Sequence, residues 1–90
     1  MSVLYLALKK KYFGEIKFLR KKYEYRLYND YWRKRIEGKT FSGIILTCGY
    51  PKKDDWNRRL HRDWHGYKIQ WIKHPEFGTE AVKVFAIRVN

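Results

Sequence analysis

The sequence predicts a small α+β fold, mainly β, in which about five strands form a partly open barrel closed at one end by an N-terminal helix. Three observations lead there. The chain has 90 residues, enough for a single domain spanning 1–90 with one modest core. Apolar residues recur at helical spacing only once, early in the chain. Later apolar segments are short, and several alternate with period two, as half-buried strands do. An open α+β sheet with the helix across one face is the alternative arrangement.

The elements follow in order. "VLYLAL" (3–8) is an apolar run of strand length. "KKYFGEIKFLR" (10–20) carries Tyr12, Phe13, Ile16 and Leu19 at helical spacing. Gly14 weakens that helix by about 1 kcal/mol relative to alanine, so packing must hold it. "YEYRLY" (23–28) alternates, with Tyr23, Tyr25 and Leu27 expected on the core face and Glu24, Arg26 and Tyr28 on the other. "NDYWRKRIEG" reads as a short helix capped by Asn29 or Asp30 and ended by Gly38. "FSGIILTCG" (41–49) is a buried strand. Residues 50–66 read as a long polar loop with a helical turn near "DDWNRRL". "YKIQWI" (67–72) alternates again, with Trp71 expected in the core. "HPEFG" is a turn with a structural His74, and "EAVKVFAIRV" (80–89) is a strand buried on both faces.

Charge narrows the function. Twenty-one Lys and Arg against nine Asp and Glu give a formal charge of +12. Such an excess opposes compaction and fits a polyanionic partner, with nucleic acid first. A membrane partner would require a basic helix with a broad apolar face, a lipidation signal or a long apolar span, and none is present. The apolar part of "MSVLYLALKKK" is too short for a signal peptide. A lone cysteine, Cys48, fits a reducing cytoplasmic setting. Aromatic residues make up 19% of the chain, more than so small a core holds, so several should face solvent, where they stack bases beside phosphate-neutralising cations.

The most informative stretch is "RKKYEYRLYNDYWRKR" (20–35), whose only acids are Glu24 and Asp30. Glu24 and Arg26 share one strand face, about 7 Å apart at the backbone, within reach of the long arginine. Lys21 lies at the helix-to-strand junction. The expectation is that Glu24 pairs with these cations at an exposed site and offers an acceptor to a ligand.

"LRKKYEYR" resembles the ASCH-domain signature, glycine-x-lysine-x-x-glutamate-x-arginine, which follows a helix and opens a strand. Lys21, Glu24 and Arg26 match at the right spacing, and Leu19 stands where the family has glycine. "YWRKRIEGKTFSGIILTCGYP" and "GYKIQWIKHPEFGTEAVKVFAIRV" resemble the family's later segments, so the likeness spans about residues 5–89. It implies a PUA-like barrel with a cleft lined by the motif, and an association with RNA. Members of the family include binding modules, ribonucleases and hydrolases of an acetylated cytidine amide. The last carry a threonine nucleophile where this chain has Glu24, which removes the hydroxyl their covalent mechanism needs.

The sequence thus predicts an RNA- or nucleotide-binding module. Glu24 and Arg26 would meet base edges; Lys21, Arg33, Lys34, Arg35, Arg58 and Arg59 would meet phosphates; Tyr28, Trp32, Trp56 and Trp64 would stack. RNA, single-stranded or structured, is the expected partner, and DNA is the other polyanion of that chemistry. The enzymatic alternative is a small ribonuclease or modified-nucleoside hydrolase in the same cleft, with Lys21 and Glu24 catalytic. A second alternative is an acidic protein on the basic face. No cofactor is expected, apart from a divalent metal if the chain is a nuclease. His61 and His65 have the i, i+4 spacing of a helical metal pair, but no second ligand pair follows. Asp54 and Asp55 are adjacent, which suits helix capping better than joint metal binding.

Overall fold

The computed structural model describes residues 2–90. The described residues form six strands and two α-helices in a mixed α+β fold: β1 (Val3–Leu8), α1 (Lys10–Lys17), β2 (Tyr23–Leu27), α2 (Asp30–Ile36), β3 (Gly43–Cys48), β4 (Arg59–Arg62), β5 (Tyr67–Ile72) and β6 (Val82–Arg88). They form two three-stranded sheets, ordered β1-β3-β4 and β2-β6-β5. The β1–β3 pair is parallel; the other pairs are antiparallel.

The expected barrel is not closed by backbone pairing. β1 and β2 are each the edge of their sheet, and side chains rather than ladder bonds link them. The expected long loop contains β4, a short edge strand, Arg59–Arg62, with an arginine at each end and one apolar residue, Leu60. Charge on an edge strand discourages pairing with other chains and also hides the strand from a hydrophobic pattern. The helical turn expected there is a 3-10 turn at Trp56–Arg58.

The core lies between the sheets. Leu4, Leu6 and Leu8 of β1 and Ile44 and Leu46 of β3 meet Phe85, Ile87 and Val89 of the β6 segment. α1 adds Phe13 and Ile16, and α2 adds Ile36. As expected, Val84 to Ile87 of β6 are all buried, since β6 is the central strand of its sheet. Trp71 corrects the expectation of a core residue: it is 68% exposed. Its strand is a sheet edge, and its cross-strand partner is Lys83 at the start of β6.

Helix α1 ends in a Schellman motif. Leu19 N–H donates to Ile16 O at 3.1 Å and Arg20 N–H to Glu15 O at 2.7 Å, with Leu19 at φ 62°. This left-handed position is usually glycine, and holding a branched side chain there costs about 1–2 kcal/mol. Leu19 is 70% exposed, so its side chain contributes little packing in return. Leu19→Gly is therefore expected to raise stability by about 0.5–1 kcal/mol, read as a higher denaturation midpoint in urea. A lower midpoint would show that the leucine side chain, not the backbone, governs this turn.

Candidate nucleic-acid interface

The Schellman turn delivers Lys21 to the start of β2, and Asn90 fixes it there: Asn90 Nδ2 donates to Lys21 O at 2.7 Å and to Ile16 O at 3.0 Å. Lys21 Nζ then donates to Glu24 Oε1 at 2.7 Å, and Arg26 Nη1 donates to Glu24 Oε2 at 2.5 Å. Arg26 Nη2 reaches across to Ala7 O at 2.9 Å, bridging the edges of β1 and β2. Its guanidinium carbon lies 5.2 Å from the centre of the Trp32 ring. Lys21 Nζ lies 4.4 Å from the Tyr12 ring centre and 5.5 Å from that of Tyr25.

This geometry corrects the expected facing of β2. Glu24 is only 4% exposed, and Tyr28 on the same face packs on Phe85 with ring centres 5.0 Å apart. Tyr23 and Tyr25 lie on the outer face. Aromatic residues at odd positions resemble a core stripe, but here cations cover them, while the carboxylate is buried by its two partners. Both Glu24 oxygens are occupied, so Glu24 holds the cations in place rather than standing free in solvent.

Above this triad, the gap between β1 and β2 opens into a cleft of about 630 Å³. That size falls in the range of small-molecule sites, about 300–1,000 Å³. Tyr5 comes from β1, Tyr12 from α1, Tyr25 from β2, and Tyr31 and Trp32 from the first turn of α2. Asn29 sets that turn by accepting from Trp32 N–H at 3.0 Å, as its sequence position predicts. Tyr50 and the Pro75–Phe77 turn complete the wall. Tyr50 is 96% exposed and Tyr5 63%, so their rings are available to a ligand.

The cleft carries Lys9, Lys21, Arg26 and Arg59 against Glu24 and Glu76. Glu76 accepts from Lys9 Nζ at 2.7 Å and from the Tyr12 hydroxyl at 3.3 Å. The Lys9 hydrogen bond above all, together with its charge, holds the Glu76 carboxyl below its ordinary pKa. Arg59 has no carboxylate partner among the described residues and donates to Lys52 O at 3.0 Å. His74 also lines the cleft, with Nδ1 accepting from Glu76 N–H at 3.2 Å. Nε2 therefore carries the proton of the neutral ring and is a donor.

Of the residues the sequence singled out, the structure brings Lys21, Glu24, Arg26, Trp32 and Arg59 together in the cleft. The others sit elsewhere. Tyr28 donates to Glu37, and its ring lies against Lys83 and Phe85. Arg33 pairs with Glu37 at 3.1 Å, Arg58 pairs with Asp55 at 3.4 Å, and Lys34 is exposed. Arg35 stacks on Tyr31, a cleft residue, with its guanidinium carbon 3.5 Å from the ring centre, and does not itself line the cleft. Trp56 is exposed away from the cleft, and Trp64 packs edge-on against Phe41 at 4.8 Å beside the core. Asp55 makes no side-chain cap, which corrects the capping expectation. His61 is on strand β4, so the helical metal spacing with His65 does not arise. Among the described residues no group of three or more potential ligands converges on one point.

Sequence reasoning missed Tyr5, Tyr12, Tyr25, Tyr31, Tyr50 and His74 as cleft residues. The usable signal was the aromatic surplus, which required exposed rings without saying which ones. No helix among the described residues is long and apolar enough to cross a membrane. In comparisons with known proteins, no family model, no curated protein and no solved structure matches the chain.

Proposed function

We propose that the chain is an ASCH-like, cytoplasmic module of PUA-like type that binds RNA, holding a single nucleotide in the cleft between β1 and β2. The observation that carries this reading is the concentration of exposed aromatic rings over a floor of fixed cations, the combination that stacks a base and neutralises its phosphate. The Lys21–Glu24–Arg26 arrangement supports the ASCH resemblance, as does the left-handed turn at Leu19, the position where that signature has glycine. Glu24 acts by orienting Lys21 and Arg26. Arg26 already occupies Ala7 O and Tyr25 O on the facing edges of β1 and β2, so the base is met by the cleft's side chains.

Salt dependence tests the reading. If about five phosphates of single-stranded RNA are neutralised, log K falls with log salt at a slope near −3.5. A titration of labelled RNA by fluorescence polarisation measures this, and a flat dependence would point to a neutral ligand. A second reading, a small ribonuclease, is favoured by His74 on the cleft wall, 5.7 Å from Tyr12 and 6.1 Å from Tyr25 between ring centres. A histidine so placed can exchange a proton with a bound nucleotide.

A further inference from the structure

A second recess, of about 410 Å³, lies outside the cleft and is lined by Tyr23, His65, Gly66, Lys68, Ala86 and Arg88 among others. The register explains its composition. Tyr23 pairs with Arg88 across β2 and β6, and Lys68 pairs with Ala86 across β5 and β6. Directly paired residues share a face, so Tyr23, Tyr25, Lys68, Ala86 and Arg88 all project from the outer face of this sheet. Ala86 is the small residue on the floor; the longer side chains form the rim.

The recess is built around one ring. Lys68 Nζ lies 5.2 Å from the centre of the Tyr23 ring, and the Arg88 guanidinium carbon lies 5.7 Å from it. Arg88 Nε donates to the Asn90 main-chain oxygen, which anchors the guanidinium. No Asp or Glu side chain lines the recess, and neither Lys68 nor Arg88 is paired with one among the described residues. The cleft differs, because both of its carboxylates are tied to cations. Hydrogen bonding from Lys68 holds the Tyr23 phenol below its ordinary pKa, as a locally positive field requires.

We propose that this recess is a second, phosphate-binding site that takes a phosphodiester of the same RNA strand whose base occupies the cleft. This rests on the cleft reading for the identity of the strand, though not for the anion site itself. Tyr25 lines the cleft and Tyr23 lines the recess. They lie two residues apart on one face of β2, about 7 Å along the strand. A polynucleotide leaving the cleft over Tyr25 therefore meets Tyr23 next, with Arg88 of β6 and Lys68 of β5 beside it.

Two measurements test the proposal. Inorganic phosphate is titrated into the protein and followed through the backbone amide resonances of Gly66, Lys68 and Arg88. Saturable shifts confined to these positions are expected, and their absence overturns the anion site whatever the cleft binds. Affinities for a mononucleotide and a tetranucleotide of the same base are then compared in wild type and Lys68→Gln, whose side chain is exposed and outside the buried core. The variant is expected to bind the tetranucleotide several-fold more weakly at low salt, with a salt slope shallower by about 0.7, and to bind the mononucleotide as wild type does. Equal losses for both ligands, or no loss for either, overturn the shared path. Phosphate shifts in a protein that binds no nucleotide would support the anion site and overturn the cleft reading with its shared strand.

Discussion

Glu24→Ala is expected to cost about 3–5 kcal/mol of folding stability, the range seen when one partner of a buried ion pair is removed. Side-chain exposure is 6% for Glu24, 14% for Lys21 and 15% for Arg26, so water cannot solvate the two cations fully once the carboxylate is gone. The loss would be a large share of the total for a domain of this size, about 5–13 kcal/mol. It should appear as a lower urea midpoint with an unchanged slope. Glu24→Gln should lose less, since an acceptor oxygen remains, but it leaves the same two charges uncompensated. Replacing Lys21, Glu24 and Arg26 together with apolar residues of similar volume should recover much of the loss, because no buried charge is then stranded. A cost below about 1 kcal/mol for Glu24→Ala would make the triad equivalent to an exposed surface pair.

Tyr50→Ala is expected to weaken RNA binding by about 5- to 150-fold, the equivalent of the roughly 1–3 kcal/mol that one base–aromatic stack contributes. Tyr50 is 96% exposed and makes no core contact, so thermal stability should not change. That separation makes it a cleaner probe than Trp32, which packs against the core and stacks on Arg26. An RNA affinity unchanged in Tyr50→Ala would remove stacking at this wall from the account.

Much of the fold was legible because several elements state their own period. "VLYLAL" and "YKIQWI" read directly as β1 and β5, "EAVKVFAIRV" (80–89) contained β6 with a few residues to spare, and Asn29 or Asp30 and Gly38 marked the ends of the α2 segment. β4 was not legible because an edge strand of Arg, Leu, His and Arg has too little apolar content to alternate visibly. The facing of β2 was inverted because a stripe of Tyr23, Tyr25 and Leu27 looks more apolar than Glu24, Arg26 and Tyr28. Only tertiary structure reveals that Lys21 and Arg26 neutralise Glu24 well enough to bury it. Trp71 was misread for a related reason: alternation fixes which residues share a face, but not how far along the strand that face stays covered.

The cleft itself was half legible. Its floor is local, with Lys21, Glu24 and Arg26 within six residues, so spacing alone exposed it. Its walls are assembled from β1, α1, α2, Tyr50 and the Pro75–Phe77 turn, which no local pattern connects. The basic residues of α2 shared the cleft's composition without its position. Arg33 serves Glu37, and Arg35 stacks on Tyr31.

The central claim is that the cleft retains RNA, and one measurement addresses it most directly. Labelled single-stranded RNA is incubated with the protein at low salt, with and without divalent metal, and followed for both retention and strand length. Retention of intact RNA in both conditions, weakening steeply as salt rises, is the predicted result. RNA that is neither retained nor cut at low salt would contradict the account.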